Sequence, residues 1–141
     1  MTPSAITVRM KSRLLDIEFG NIHYSLPFEL LRVYSPSAAV RGHGPGQETL
    51  QTGKRNVTIL TLEPVGNYAV QPNFSDGHNT GIFTWDYLRE LGESQASLWQ
   101  DYLEKLAAAG LPGELGRGTE QPDEVREIKA ISGQTLYNKI T

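Results

Sequence analysis

The chain has 141 residues, with 13 Lys plus Arg against 16 Asp plus Glu, three His and no Cys. That length suits one domain of the commonest size, about 100–150 residues, with enough chain to bury a core unaided. The missing thiols exclude disulfides, Cys nucleophiles and Cys-ligated zinc or iron–sulfur clusters held by this chain, and a net charge of −3 argues against a nucleic-acid partner.

Charge is uneven along the chain. Residues 1–55 carry seven basic and four acidic side chains, a balance of +3, whereas residues 56–141 carry six and twelve, a balance of −6. A basic first half is able to meet an anion, although a solvated mixed surface is the plainer reading. Met1-Thr2-Pro3-Ser4 opens no basic-then-apolar leader, and no apolar run approaches the roughly 20 residues a spanning helix needs. A cytoplasmic protein with no membrane partner is expected.

Ile6, Val8 and Met10 alternate with polar residues, a period of two that predicts a half-buried strand. Leu15, Ile17 and Phe19 repeat the pattern, and after the turn pair Gly20-Asn21 so do Ile22, Tyr24 and Leu26. Connections this short predict an antiparallel meander with one wet face. Pro27 suits the first turn of a helix, and Phe28, Leu30, Leu31 and Val33 supply its apolar side up to Ser35-Pro36.

No period survives from Ser35 to Arg55, where glycines crowd Arg41-Gly42-His43-Gly44-Pro45-Gly46-Gln47. A loop of such length in a small domain is usually functional or mobile. Val57-Thr58-Ile59-Leu60-Thr61-Leu62 is rich in β-branched and apolar residues, which predicts a central strand. A turn at Pro64-Val65-Gly66-Asn67 leads to a strand through Tyr68, Val70 and Phe74. Asp76-Gly77 then turns the chain toward Gly81-Ile82-Phe83.

Thr84 is a suitable cap for a helix that Gly92 should stop, and Ser94 for a second carrying Leu98, Tyr102 and Leu106 on one stripe beside Trp99 and Leu103. Gly110-Leu111-Pro112 predicts a Schellman-type stop. Residues 112–141 then read as a C-terminal appendage with a weak helical stretch at Asp123–Ile131, after a domain spanning residues 1–111. The expected class is therefore α+β: strand-rich antiparallel sheets, a short helix near 27–33 and two helices near 85–91 and 95–109.

The chemistry-bearing motifs are sparse. The glycine run around His43 lacks the strand before it and the helix after it that a dinucleotide cradle requires. Gly53-Lys54 is followed by Arg55 instead of Ser or Thr, so it is no Walker loop. His43 and His78, with Asp76 or Glu48 or Asp86 assisting, compose a candidate two-His, one-carboxylate iron site without the HxD spacing usual there. Ser75-Asp76-Gly77-His78 packs the three triad residue types into four positions, but triads assemble from separate segments, and no GxSxG elbow is present.

Longer stretches are recognisable. Leu31-Arg32-Val33-Tyr34-Ser35-Pro36-Ser37-Ala38, the glycine run through Gln47, Thr52-Gly53-Lys54-Arg55, Glu63-Pro64-Val65-Gly66-Asn67-Tyr68-Ala69-Val70, Phe74-Ser75-Asp76-Gly77-His78 and Thr84-Trp85-Asp86-Tyr87-Leu88 together resemble the gamma-butyrobetaine hydroxylase-like N-terminal domain family over roughly residues 5–109. The resemblance implies a strand-rich module. Such modules precede an iron(II)/2-oxoglutarate domain in carnitine-biosynthesis dioxygenases, are joined to some P-loop iron–sulfur carrier ATPases, and stand alone in many bacteria. This chain looks like the stand-alone form.

Eukaryotic members carry a zinc module in which a CxCxxC run follows a Leu-Arg pair and a His after Asp-Gly completes the site. Carried onto this chain, the thiolate positions fall on Ser35, Ser37 and Val40, and the fourth on His78. Three of those four ligands are gone, so the resemblance implies that the zinc site is lost.

Three functions follow as expectations. The first is a non-catalytic accessory or binding module, linked to metal enzymes or iron–sulfur assembly. It would meet a protein partner or small ligand through residues 35–55 and 75–79, with Arg41, His43, Gln47, Lys54 and Arg55 as contacts. The second is a mononuclear metal protein, holding iron or zinc through His78, His43 and Asp76. A small hydrolase using Ser75, Asp76 and His78 is the third.

Overall fold

Alternating apolar residues set the first sheet. In the computed structural model, which describes residues 1–42 and 46–111 together with the backbone of two later strands, Ile6 and Val8 of β1 (Ala5–Arg9) lie opposite Ile17 and Leu15 of β2 (Leu14–Phe19). All four are buried. β3 (Ile22–Pro27) pairs with β2 and brings Leu26 opposite Leu15. The other face is polar, as the alternation requires. There Asp16 accepts from Arg9 Nε at 2.5 Å and from Ser25 Oγ at 2.6 Å.

Pro27 ends β3 and stands at the N-cap of α1 (Phe28–Val33), all six of whose residues are buried. Two of these are charged. Glu29 accepts from the Tyr102 hydroxyl at 2.8 Å, and Arg32 reaches a turn 44 residues later in the chain. The stretch after Ser35 contains one element too short to show a period, α2 (Ala38–Arg41), with Ser37 as its N-cap residue.

β4 (Ile59–Val65), β5 (Ala69–Phe74) and β6 (Phe83–Thr84) form a second antiparallel sheet in that order. The run at 57–62 is thus an edge strand and not a central one. Its register shifts between Ile59 and Thr61, and Leu60 beside the shift is 47% exposed. Pro64 lies within β4, a placement tolerated in an edge strand.

Thr84 Oγ1 accepts from the Tyr87 amide at 3.1 Å and caps α3 (Trp85–Glu93) as the sequence predicts. Gly92 does not stop this helix. It lies inside α3, where the Tyr24 ring of β3 occupies the space of a side chain: an added Cβ would come within 2.3 Å of Tyr24 Cγ. Ser94, at the N-cap position of α4 (Gln95–Ala108), makes no side-chain capping bond. Tyr102 and Leu106 bury the α4 stripe, with Trp99 and Leu103 half-buried beside them. At its end the Leu111 amide donates to Leu106 O and the Gly110 amide to Ala107 O, with Gly110 at φ +75°, the expected Schellman stop.

The weak helical stretch at 123–131 is instead a strand. β7 (Val125–Lys129) pairs antiparallel with β1, and β8 (Tyr137–Ile140) with β7, giving the order β3-β2-β1-β7-β8. The free edge of β1 offers unpaired N–H and C=O groups, a demand that overrides weak local helix preference. The class is α+β, and residues from β1–β5, β6, α1 and α3 share the main core. Among the described residues no helix is long and apolar enough to cross a membrane.

Candidate functional site

One corner of the fold gathers the polar residues that the apolar elements leave unmatched. α1 delivers Arg32, the segment after it Ser35 and Ser37, the loop Gln51 and Lys54, and the turn after β5 Asp76 and His78. The turn is fixed by backbone bonds. Gly77 donates to Phe74 O, Phe74 donates to His78 O, and Gly77 takes φ +89°, which a residue without Cβ adopts freely. Ser75 closes the turn onto β4, its amide donating to Thr58 O and its Oγ accepting from the Thr58 amide at 3.0 Å.

Asp76 is the hub. Its Oδ2 accepts from Arg32 Nε at 2.9 Å and from Lys54 Nζ at 2.6 Å, and its Oδ1 from the His78 amide at 3.2 Å. Burial pushes the Asp76 carboxyl upward, but Lys54, the His78 amide and Arg32 together outweigh it and hold the group down at about 2. Arg32 is almost wholly buried and spends a second donor on Gln51, from Nη1 to Oε1 at 2.9 Å. Gln51 in turn donates to Thr49 O at 3.0 Å. A charge-assisted chain thus runs from α1 through the loop to the turn.

His78 faces the other way. Its Nε2 lies 2.8 Å from Ser35 Oγ and 3.4 Å from Ser37 Oγ, and both hydroxyls are buried. Burial, then the Arg32 charge, lower the His78 pKa below its ordinary 6.5 against the opposing pull of Asp76, so the ring is neutral at pH 7. Gly81 makes room for this contact: a Cβ there would come within 2.1 Å of Ser35 Oγ.

The structure therefore brings together Lys54, Asp76 and His78 among the residues the sequence singled out. Arg41 lies elsewhere, at the end of α2, its guanidinium 5.2 Å from the centre of the Tyr87 ring. Gln47 is exposed, and its backbone carbonyl packs against Gly42. Arg55 is half-buried. His43 lies outside the described residues. Sequence reasoning missed Arg32 and Gln51 as members of the corner. Arg32 carried a signal, a cation in a short helix whose other residues apart from Glu29 are apolar; Gln51 carried none.

Ser35, Ser37 and His78, three of the four positions that the resemblance equates with zinc ligands, do meet in space. They do not fit that ion. One imidazole and two buried hydroxyls replace the thiolates a closed tetrahedral site takes, and the adjoining Asp76 already faces a guanidinium and an ammonium. Nor does the triad-like run assemble: Ser75 Oγ is turned to Thr58, while the His78 ring is bonded to Ser35.

Fold and corner define a small α+β module whose polar residues are used to join segments. The chain belongs to the gamma-butyrobetaine hydroxylase-like N-terminal family, whose model matches residues 6–89. Among solved structures it is similar to a protein determined by NMR in solution, at 45% identity and TM-score 0.69, covering 86% of this chain and 96% of that one. A second NMR structure matches at 47% identity and TM-score 0.65, over 79% and 85% of the two chains. A crystal structure from Acidithiobacillus ferrooxidans, of a DUF971-family protein of unknown function, matches at 43% identity and TM-score 0.55, over 64% and 92%. The comparison with curated proteins gave no match.

Proposed function

We propose that this chain is a non-catalytic accessory module that binds a protein partner, a component of a metal enzyme or of iron–sulfur assembly. The contact surface is formed by the loop at 46–55 and the turn at 75–79. One observation carries this reading: the Asp76 carboxylate holds Lys54 of the loop and Arg32 beneath it, and Arg32 holds Gln51, so two segments far apart in sequence form one fixed surface. Preorganisation of this kind lowers the entropic cost of association. The corner's hydroxyls and imidazole are spent on each other, which suits a structural corner better than a reaction centre.

Affinity capture with the wild-type chain and with Thr52→Trp, a bulky change at an exposed loop position, tests the reading. Wild type should retain an oxygenase or iron–sulfur component that the variant loses while keeping its melting temperature. Recovery of no such component, or equal recovery by both proteins, overturns it.

A further inference from the structure

A cavity of about 390 Å³ opens between the end of α1, α4 and the loop, beside the corner and sharing Gln51 with it. That volume lies within the range of small-molecule sites, roughly 300–1,000 Å³. Its floor is apolar and aromatic: Val33 and Tyr102 are buried, and Tyr34 and Leu50 half-buried. Val33 and Tyr102 form a second hydrophobic cluster with Leu106, on which Leu50 packs together with Tyr34 and Trp99, the last two also touching the main core. The Trp99 and Tyr102 rings lie 5.3 Å apart, so the tryptophan reports on the floor.

The mouth decides the ligand's charge. Glu48 and Lys105 both line it, and Gln51 forms its wall with an amide already held by Arg32 and Thr49. Lys105 is offset by Asp101, whose Oδ2 lies 2.9 Å from Nζ. Asp101 also lies 3.5 Å from the Tyr34 hydroxyl, so it sits beside the same mouth. Glu48 is exposed, and the Lys105 ammonium is paired with Asp101 instead of with it. With Lys105 turned to Asp101, the Glu48 carboxylate is the lining charge left to meet a ligand, above a floor with two tyrosine rings.

We infer that this cavity is a binding site for a small organic amine: an aromatic or branched aliphatic body seated on Val33, Leu50 and Tyr102, with its ammonium toward Glu48. The site shares the loop at 46–55 with the partner surface proposed above but requires no second protein, so a test on the isolated chain succeeds or fails apart from that proposal. A ligand of about ten non-hydrogen atoms, at the modest end of the energy obtained per atom, gives an affinity near the millimolar range.

Phenethylamine is the probe, and 3-phenylpropionate, of similar body and opposite charge, is its control. Two-dimensional amide NMR of the full chain should show saturable shifts at Leu50, Gln51 and Lys105 with the amine, accompanied by a change in Trp99 emission. Glu48→Gln should weaken binding about threefold or more, and Lys105→Gln should tighten it by a similar factor, as expected for exposed charges worth up to about 1 kcal/mol. Absence of a saturable shift overturns the inference. So does equal binding of the carboxylate, or an affinity unmoved by both substitutions.

Discussion

The Arg32 guanidinium donates from Nε to Asp76 Oδ2 across 2.9 Å, tying a buried helix to a turn 44 residues downstream. The Arg32 side chain is 8% exposed and that of Asp76 25%, so the pair is graded from interior to surface. Lys54, at 20%, completes the triad on the loop side. The arrangement places one carboxylate between two cations, and each member depends on it differently.

Asp76→Asn keeps the shape and the acceptor for the His78 amide but removes the charge between Arg32 and Lys54. Arg32 is left buried with Gln51 alone, a loss of about 2–4 kcal/mol by analogy with broken buried pairs. Lys54→Gln removes the more exposed of the two cations and leaves Asp76 paired with Arg32, so it should cost within about 1 kcal/mol. Urea unfolding of both variants checks the order; equal losses would show that the interior half of the triad carries no special weight.

The pH dependence follows from the same corner. The folded protein holds His78 below 6.5, so between that value and the lowered one the unfolded chain binds the proton and the folded chain does not. Stability is then fully present above about pH 6.5 and declines as the pH falls through the folded value. Asp76 adds a second, more acidic limb, since its contribution holds above its ordinary 3.8 and is lost as the pH drops toward about 2. Urea midpoints measured from pH 8 to pH 5 should fall for wild type and flatten in His78→Gln.

The strands were legible because Ile6, Val8, Leu15 and Ile17 alternate, and a sheet with one buried face leaves that period in the residues. The cap at Thr84 and the stop at Gly110 were legible too, because both act through neighbours in sequence. Three features were hidden because distant chain decides them. Tyr24 packs onto the helix where Gly92 has no side chain, the free edge of β1 recruits Val125–Lys129 as a strand, and β6 pairs with β5 and leaves β4 at the edge. The site divides the same way. Asp76 and His78 stand out as a turn motif, whereas Gln51 joins them only through Arg32, a contact between segments that no local pattern encodes.

Gly92 offers a sign test. In an exposed helix interior, Gly→Ala normally stabilises by about 1 kcal/mol. Here the new methyl would overlap the root of the Tyr24 ring, on a strand whose backbone is fixed by β2. Overpacking of that kind costs about 1–3 kcal/mol. Gly92→Ala should therefore lower the melting temperature, and a rise would mean that Tyr24 moves aside freely.

The corner around His78 makes the sharpest claim about metal. Ser35 and Ser37 already lie within hydrogen-bond reach of His78 Nε2, so thiolates at those positions would point at the imidazole. The resemblance places the third thiolate at Val40, on the helical turn that Ser37 caps. In the wild-type chain a chelator should leave the melting temperature unchanged, because apolar burial and the Arg32–Asp76–Lys54 set hold these segments. The triple variant Ser35→Cys, Ser37→Cys, Val40→Cys should instead gain stability on adding zinc, by roughly 3 kcal/mol when the ion exceeds its dissociation constant about a hundredfold. Adding His78→Ala to that triple variant should remove most of the gain, since an open three-thiolate site lacks its closing ligand. Thermal unfolding with and without zinc distinguishes these proteins. A wild-type chain that melts early in chelator would show that an ion, and not this packing, stabilises the corner.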